Sequence, residues 1–257
     1  MADVKRLSEW PLPAGTFVHM LLRSFCLQAS WNFERLQNLG FLFVLLPGLK
    51  KLYQGDELAE ACSRHLEYFN SHPYLAPTIL GASLRLECDM KRGHGEGGNI
   101  EDFKKMVMAP YAAMGDAFFW GGIRPLAAVV ALFFAFQGSF LALPVFLLLF
   151  NLPHLVFRIM GLRRGLKLGL GVIHVVQAHR LPDLAMKAKE ATVVLFGGLA
   201  AVLSLKVLGL QEIAGCWGLG VLPLVLVVVY GLRRRVAPLV LIYLSSAVLL
   251  LLGMFVQ

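Results

Sequence analysis

The chain has 257 residues, of which 58% are hydrophobic and only 16% charged, and its mean hydropathy is +0.68. Soluble domains are about 45–50% apolar and ~25% charged. The composition therefore excludes a water-soluble monomer, a disordered chain and a disulfide-rich secreted scaffold, and it indicates an integral membrane protein. The 24 basic residues outnumber the 16 acidic ones, which in a membrane chain is typical of cytoplasmic loops near anionic lipid rather than of nucleic-acid binding.

The N-terminal half lacks segments long enough to cross a bilayer. Its opening stretch has no apolar core of a secretory signal, so we expect the N-terminus to stay in the cytoplasm. Two apolar stretches, 40–49 and 74–84, are only about ten residues long and contain Pro and Gly. These features are typical of re-entrant or interfacial segments.

An amphipathic helix is predicted between these two stretches. Asp56 can cap its first turn. Apolar side chains recur at helical spacing along one face, at Leu58, Cys62, Leu66 and Phe69. The helix is expected to end near residues 70–73, because Pro73 disfavours helical backbone in the residue before it.

Five later segments are apolar enough to be transmembrane helices, for which about 20 residues are needed. The predicted spans are 123–136, 139–158, 191–210, 214–232 and 237–256. Basic residues cluster from Arg158 to Lys189 and again at 233–235. The positive-inside rule makes both loops cytoplasmic and puts the C-terminus outside. We therefore expect a cytoplasmic and interfacial region, 1–121, followed by a transmembrane region, 122–257.

Three glycines, Gly161, Gly165 and Gly169, are spaced four residues apart. Small residues at this spacing let helix backbones approach closely within membranes, and they would offer a surface to a partner. The alternative is that they are flexible loop glycines, and the sequence favours neither interpretation.

Motifs for catalysis or for a tightly bound cofactor are lacking. Residues 93–98 match G-x-G-x-x-G, but no buried strand precedes them, so we reject a dinucleotide site. The histidines and cysteines show no metal-ligand or redox spacing, and no G-x-S-x-G occurs. We expect no metal, no cofactor and no catalytic residue on this chain, and these absences disfavour a membrane enzyme.

A first polar cluster occupies residues 28–37, between apolar runs. Trp31, Glu34 and Gln37 would be near neighbours on a helix. An indole face beside carboxylate and amide groups suits a sugar, because its C–H face stacks while its hydroxyls form hydrogen bonds. The alternative is a structural role, in which Glu34 and Arg35 pair with each other within a polar cluster. The residue types alone favour that alternative, since buried polar groups are commonly satisfied internally.

A second polar cluster lies within residues 108–125. Asp116 stands in an apolar context just before a predicted span, where a carboxylate is costly unless it is paired or lines a pathway. Arg124 can be its partner or can anchor the span at the interface. The neighbouring glycines and Pro125 predict a broken helix or re-entrant turn, where backbone groups can face a substrate.

These clusters also carry a family resemblance. Four blocks carry it: QASWNFERLQ at 28–37, HLEYFNSHP at 65–73, GDAFFWGGIRP at 115–125 and FNLPHLVFRIMG at 150–161. In these blocks the chain resembles subunit IID of the mannose-type sugar phosphotransferase system. The resemblance extends to about residue 190, and the last three spans match in hydropathy alone.

The resemblance implies an all-α integral membrane protein, multi-pass in the inner (cytoplasmic) membrane. Such a subunit pairs with subunit IIC and forms with it the hexose translocation pathway of a phosphoenolpyruvate-dependent permease. Subunits IIA and IIB relay the phosphate, so no phosphorylated residue is expected here. A trimer of IIC–IID pairs and the absence of a nucleic-acid partner are further implications. An orphan or regulatory subunit without sugar transport is the alternative.

The sequence thus predicts about five transmembrane helices plus re-entrant or amphipathic helices in the N-terminal half. It also predicts the residues that line or support the hexose pathway, which are Trp31, Asn32, Glu34, Gln37, Asn70, Asp116 and Trp120. Their acceptors, donors and aromatic faces are complementary to a neutral polyol. Arg35 and Arg124 are expected to form structural ion pairs.

Overall fold

The computed structural model describes residues 12–93, 100–173, 181–210 and 221–255. Within these ranges every named element is a helix, and only two isolated backbone bridges have β character. The all-α prediction is therefore confirmed. Most of the 93–98 motif, the 211–213 loop and the first residues of the fourth predicted span lie outside the described residues.

Four helices form the N-terminal part. They are α1 (Ala14–Ser24), α2 (Asn38–Leu52), α3 (Gly55–Arg64) and α4 (Ala76–Lys91). The two short apolar stretches predicted as re-entrant or interfacial segments lie in α2 and α4. Helix α4 is buried at every position from Ala76 to Leu84, as expected for a segment that is apolar on all its faces.

The predicted amphipathic helix is shorter than expected. It corresponds to α3, which ends at Arg64, so Leu66 and Phe69 lie beyond it. The residue that precedes the helix is Gln54, which makes no capping hydrogen bond through its side chain. The predicted cap at Asp56 is therefore wrong, and Asp56 lies in the first turn, where its charge favours the positive end of the helix dipole.

Among the described residues, three helical segments are long and apolar enough to cross a membrane: Ile100–Phe136, Ala142–Gly171 and Leu181–Lys206. The first joins α5 (Ile100–Gly115), a π-helical segment (Asp116–Ile123) and α6 (Arg124–Phe136). The second contains α7 (Ala142–Leu168) and the 3₁₀ turn Gly169–Gly171, and the third belongs to α8 (Leu181–Leu210). The two remaining helices are shorter, α9 (Val221–Arg233) and α10 (Pro238–Phe255).

These helices correspond in order to the five predicted spans, with one difference. The segment 123–136 is not a short separate helix but the end of a continuous helix of 37 residues. The broken helix or re-entrant turn predicted around Pro125 is therefore wrong. A wider π-helical segment accommodates the glycines there without breaking the helix.

The glycine row of α7 packs against α4. A methyl group on Gly165 would collide with the backbone oxygen of Thr78 and the backbone nitrogen of Ala82. One on Gly161 would meet the Thr78 hydroxyl, and one on Gly81 of α4 would collide with the Leu162 carbonyl. These glycines are therefore close-approach residues, as one of the two interpretations predicted. Gly161 and Gly165 contact this chain itself, so they are not the partner surface that the sequence suggested.

The chain divides into two compact units, Met1–Leu195 and Phe196–Gln257. The first unit contains the hydrophobic core, which is built around α2 and α4 and includes the aromatic side chains Phe41, Phe69 and Phe119. In the second unit, α10 packs on α9 where Leu241 lies against Gly231. The division expected at residues 121 and 122 refers to location relative to the membrane, and it stays a prediction.

Candidate functional site

The first polar cluster is a loop rather than a helix. Asn32 and Leu36 exchange backbone hydrogen bonds of 3.0 Å each, and the Asn32 Oδ1 atom accepts from the Arg35 N–H at 2.8 Å. Asn side chains compete in this way with the helical hydrogen-bond pattern. Leu36 adopts a left-handed φ of 54°, which no residue inside an α-helix has. The prediction that Trp31, Glu34 and Gln37 share a helix face is therefore wrong.

This loop is tied to the segment that follows α3. Both polar atoms of the Gln37 amide bind the backbone of Ser71: Nε2 donates to its carbonyl at 2.9 Å, and Oε1 accepts from its N–H at 3.0 Å. The Asn32 amide donates to Asn38 at 2.8 Å, and Asn38 donates to the Leu66 carbonyl at 2.7 Å. Asn32 and Gln37 thus join two blocks that are distant in sequence.

Other residues of the loop face outward. Trp31 is 46% exposed, and its ring meets that of Phe33 edge to face at 5.2 Å. The Glu34 and Arg35 side chains are exposed and lie 3.5 Å apart, while Arg35 also donates to the Leu66 carbonyl. The expected Glu34–Arg35 pair therefore exists, but at the surface, where such pairs contribute little stability.

Truncating Gln37 is expected to destabilise the protein. In Gln37→Ala the buried Ser71 carbonyl and N–H lose their partners, and each unsatisfied buried group costs about 1–3 kcal/mol. Thermal unfolding of the purified variant in detergent measures this effect. Gln54→Ala, at an exposed position, is the matched control. Equal melting temperatures for the two variants would contradict the bracing role.

The second polar cluster is organised around His72. The His72 ring is buried, stacks on Phe119 at a centroid distance of 5.2 Å and lies 5.3 Å from the Trp120 ring. Gly115 fits directly against it, because a side chain there would collide with the imidazole. The carboxylate of Asp116, with a 61% exposed side chain, comes within 3.9 Å of His72 Nε2. Asp116 and Trp120 both belong to the π-helical segment, a geometry that is frequent at functional sites.

The protonation of His72 follows from its surroundings. Burial, together with the charge of Arg158, lowers the pKa of His72 to about 4, so its ring is neutral near pH 7. The Nδ1 atom accepts from the Tyr74 N–H at 3.3 Å, which leaves the ring proton on Nε2. That N–H has no hydrogen-bond partner among the described residues. A buried donor thus faces the carboxylate of Asp116.

The rings extend into an aromatic cluster, which we define as His72, Tyr74, Phe119, Trp120, Phe150 and His154. Tyr74 stacks on His154 at 4.4 Å, and Trp120 lies 6.0 Å from Phe150. The cluster therefore joins the segment before α4, the π-helical segment and α7. Asn70, two residues before His72, is partly buried.

Two arginines border the aromatic cluster. Arg124 lies over the Trp120 ring at 5.2 Å, and the only ion-pair contact recorded for Asp116 in the described chain is with His72. The expected Asp116–Arg124 pair is therefore not formed. Arg158 lies over Tyr74 at 5.1 Å, and it donates to the Ser24 carbonyl at 2.7 Å. It is buried within α7 and is not the loop cation that the sequence suggested.

A second buried polar centre was not predicted from sequence. Glu87 of α4 is fully buried and accepts from Tyr53 at 2.7 Å, from Arg64 at 3.1 Å and from His65 at 2.9 Å. Burial alone raises the pKa of Glu87, but these three hydrogen bonds outweigh it and lower the pKa to about 2. Burial also lowers the pKa of His65, so a neutral ring donates its Nε2–H. The carboxylate is fully buried and already accepts three hydrogen bonds, which indicates a structural centre.

Sequence reasoning placed Asp116 and Trp120 next to each other but missed four residues of this site. These are His72, Tyr74, His154 and Arg158. Three of them lie in the blocks 65–73 and 150–161 that carry the family resemblance, and Tyr74 follows directly after the first of these blocks. That clustering was the available signal, because nothing in their spacing shows that α7 and residues 72–74 meet.

The four sequence blocks thus meet at two neighbouring places in the structure, the loop at 28–37 and the surroundings of His72. The family model described as the IID component of the PTS system mannose/fructose/sorbose family matches residues 12–256.

The chain belongs to this family.

Relatives of this IID chain include the mannose-specific EIID component of Escherichia coli K12, 40% identical over 157 residues, and the fructose permease IID component of Bacillus subtilis, 35% identical over 184. The first alignment covers 60% of this chain and 56% of the relative, and the second covers 71% and 67%. The sorbose-specific EIID component of Lacticaseibacillus casei is 31% identical, with 84% of both chains covered. The chain therefore spans little more than half the length of the Escherichia coli relative it matches.

Two solved structures resemble the IID chain. A cryo-EM structure of the mannose transporter ManYZ with microcin E492 matches with a TM-score of 0.59 and 30% identity, covering 97% of this chain and 98% of that chain. A structure described as a membrane protein matches with a TM-score of 0.67 and 36% identity, covering 73% and 70%. Together with the three long apolar helices, these matches identify a membrane protein of the transporter fold.

Proposed function

We propose that this IID chain is a membrane subunit of a phosphoenolpyruvate-dependent sugar permease, forming a hexose pathway together with a IIC-type partner. The names of its relatives and the structural similarity to the mannose transporter ManYZ support this function. The chain crosses the inner membrane several times, with its N-terminus in the cytoplasm. Subunits IIA and IIB supply the phosphate, and three IIC–IID pairs assemble into the complete permease.

One observation carries the proposal for the site. The Nε2–H of His72, which has no hydrogen-bond partner among the described residues, lies 3.9 Å from the Asp116 carboxylate, and the His72 ring lies 5.3 Å from the Trp120 ring. A neutral sugar needs this combination, because its hydroxyls both donate and accept while its C–H face packs on an aromatic ring. An unpaired donor in a buried position is costly unless a ligand or water satisfies it. Within this site Asp116 accepts from a sugar hydroxyl, and Trp120 offers the stacking face.

The residues of the loop at 28–37 have a different role in this proposal. Asn32 and Gln37 support the site indirectly, because their amide groups form hydrogen bonds with Asn38 and Ser71 instead of facing the sugar. Trp31 and Glu34 are exposed and line the pathway only where the partner subunit covers them. Asn70 is partly buried and precedes His72 by two residues, and in this proposal its amide contributes a polar group to the pathway.

The test measures complex yield and uptake together. The IID chain is co-expressed with its IIC, IIA and IIB subunits, and uptake of labelled hexose is measured at limiting sugar concentration. Asp116→Asn is expected to reduce uptake about 10- to 100-fold while the complex still assembles, because a hydrogen bond to a charged group contributes about 1.5–3 kcal/mol. Trp120→Phe, which retains a smaller ring, is expected to weaken sugar affinity with less effect on the maximal rate.

Asp102→Asn is the matched control, because Asp102 is exposed near the start of the same long helix and the substitution is chemically identical. This variant should transport as the unmodified complex does. Assembled Asp116→Asn complex with normal uptake would contradict the site assignment. Assembled unmodified complex without any uptake would contradict the permease function itself.

A further inference from the structure

Helix α1 carries three rows of side chains that differ in burial and polarity. The inward row is buried and consists of Thr16, Met20 and Ser24. The outward row is apolar and consists of Val18 and Leu22, continued by Phe25 directly after the helix; these side chains are 48–62% exposed. The third row is basic and consists of His19 and Arg23, between the other two rows. A helix with this pattern is typical of the membrane surface, where the exposed apolar row enters the acyl boundary.

The basic row faces a groove that α1 forms with the end of α2. The groove has a volume of about 420 Å³, and four of its lining residues are basic: His19, Arg23, Lys50 and Lys51. None of the lining residues is acidic. The guanidinium of Arg23 is held in place, because it donates to the Phe43 carbonyl at 2.9 Å and to His19 Nε2 at 3.0 Å.

The convergence of these charges is not explained by helix stability. Lys50 and Lys51 lie in the last turn of α2, where the helix dipole favours cations. Arg23 lies in the last turn of α1 in the same way, but the dipoles of two separate helices do not account for the meeting of their cations, together with His19, at one groove. Within the described chain no carboxylate ion pair is recorded for Arg23, Lys50 or Lys51. The groove therefore concentrates positive charge that no carboxylate of the described residues neutralises through an ion pair.

We propose that the groove between α1 and α2 binds the phosphate headgroup of an anionic phospholipid, whose acyl chains lie along Val18, Leu22 and Phe25. Arg23, Lys50 and Lys51 neutralise the phosphate, and His19 adds a hydrogen-bond donor through Nδ1. The apolar row beside the groove favours a lipid over a soluble phosphate compound.

The position of α1 is consistent with a lipid ligand. The Ser24 carbonyl at its end binds Arg158 of α7, one of the three segments long enough to span a membrane. The end of α1 therefore lies against a segment that can span the membrane, and Phe25 of the outward row lies 4.6 Å below the Arg158 guanidinium. A lipid bound there would anchor α1 and, through Ser24, restrain Arg158 next to the aromatic cluster.

The test uses the full-length chain in its complex, purified in a neutral detergent. Binding of dioleoyl phosphatidylglycerol, dioleoyl phosphatidylcholine and inorganic phosphate is measured by native mass spectrometry and by competition with a fluorescent phosphatidylglycerol. The unmodified complex is expected to bind phosphatidylglycerol saturably. Lys50→Gln/Lys51→Gln is expected to weaken that binding about 25-fold, since each cation near an anionic surface contributes about a factor of five.

Lys91→Gln/Lys105→Gln is the matched control, because it removes the same charge from two exposed lysines outside the groove. Its affinity for phosphatidylglycerol should stay within about twofold of the unmodified complex. An equal loss in this control, or equal binding of phosphatidylcholine, would overturn the proposal. Displacement by millimolar inorganic phosphate would overturn it as well, because it would identify a site for soluble anions.

The Lys50→Gln/Lys51→Gln variant is not expected to unfold, since both lysines are exposed. Arg23→Gln provides a second variant on the other wall of the groove and should also weaken binding of phosphatidylglycerol by at least fivefold. Normal lipid binding in both variants, with unchanged melting temperatures, would show that the groove is not the lipid site.

Discussion

Glu87→Ala is expected to lower the melting temperature of the protein by roughly 6–12 °C. The variant removes a fully buried carboxylate and leaves Tyr53, Arg64 and His65 without their acceptor. Removing one partner of a buried pair costs about 3–5 kcal/mol, and the lower end applies because the Arg64 side chain is 38% exposed and can reach water. Each kcal/mol corresponds to roughly 2–4 °C for a chain of this size. Thermal unfolding in detergent, followed by size-exclusion chromatography, measures the shift.

The control for this prediction is another glutamate in an ion pair. Glu57 contacts Lys91 at 2.6 Å, but the Glu57 side chain is 60% exposed. Glu57→Ala should change the stability by less than ~1 kcal/mol, because exposed ion pairs contribute little. Similar melting temperatures for Glu87→Ala and Glu57→Ala would refute a structural centre at Glu87.

The contribution of Glu87 also depends on pH. Its folded-state pKa of about 2 lies below the ordinary 4.5, so the carboxylate stabilises the folded protein fully above pH 4.5. That stabilisation is lost as the pH falls from 4.5 towards 2. The stability difference between the unmodified protein and Glu87→Gln should therefore be constant at neutral pH and shrink in this acidic window. Denaturation measured at several pH values tests this, and a constant difference down to pH 2 would contradict it.

Gly165→Ala is expected to destabilise the contact between α4 and α7. The added methyl group would meet the Thr78 carbonyl and the Ala82 nitrogen, which are backbone atoms and cannot rotate away. Overpacking of a core costs about 1–3 kcal/mol of folding free energy. We expect Gly165→Ala to be near the upper end of this range, because the atoms that the methyl group meets belong to the backbone. Melting temperature and the yield of monodisperse protein are the measurements.

Gly198→Ala in α8 is the matched control, because a methyl group there meets no atom within 4 Å. Alanine is favoured over glycine inside a helix by about 1 kcal/mol, so this variant should be neutral or more stable. The two identical substitutions should therefore change stability in opposite directions. A stabilised Gly165→Ala protein would show that α4 and α7 do not pack through these glycines.

The parts of this fold that sequence predicts are those set by local chain properties. The length and hydropathy of an apolar run determine whether it can span a bilayer, so apolar helices were predicted at 139–158 and 191–210, where the structure has them. Their bounds were not predicted, because the first helical segment continues to residue 171 and the second begins at residue 181. The spacing of Gly161 and Gly165 indicated a close approach of backbones. It could not indicate that the opposing helix is α4, since that contact joins residues about 80 positions apart.

The parts that sequence did not predict depend on tertiary hydrogen bonds. The loop at 28–37 has a composition compatible with a helix, but Asn32 binds the Arg35 N–H and Gln37 binds Ser71. These bonds replace the helical pattern, and they exist only once the segment after α3 is in place. Arg158 was assigned to a loop because of its charge, whereas aromatic rings and the Ser24 carbonyl stabilise it inside the protein. Charge alone does not reveal such partners.

The bond between Ser24 and Arg158 has a consequence for biosynthesis. The two residues are 134 positions apart, and a ribosome adding ~5–20 residues per second makes that length in about 7–27 s. Late in this interval α1 and α4 have left the ribosome, while the part of α7 that completes their packing has not yet been synthesised. The nascent chain must therefore keep apolar and glycine-rich surfaces protected at the membrane until α7 is inserted. Synthesis that stops before Arg158 would leave an N-terminal fragment unable to complete its own core, and such a fragment is a natural substrate for membrane proteases.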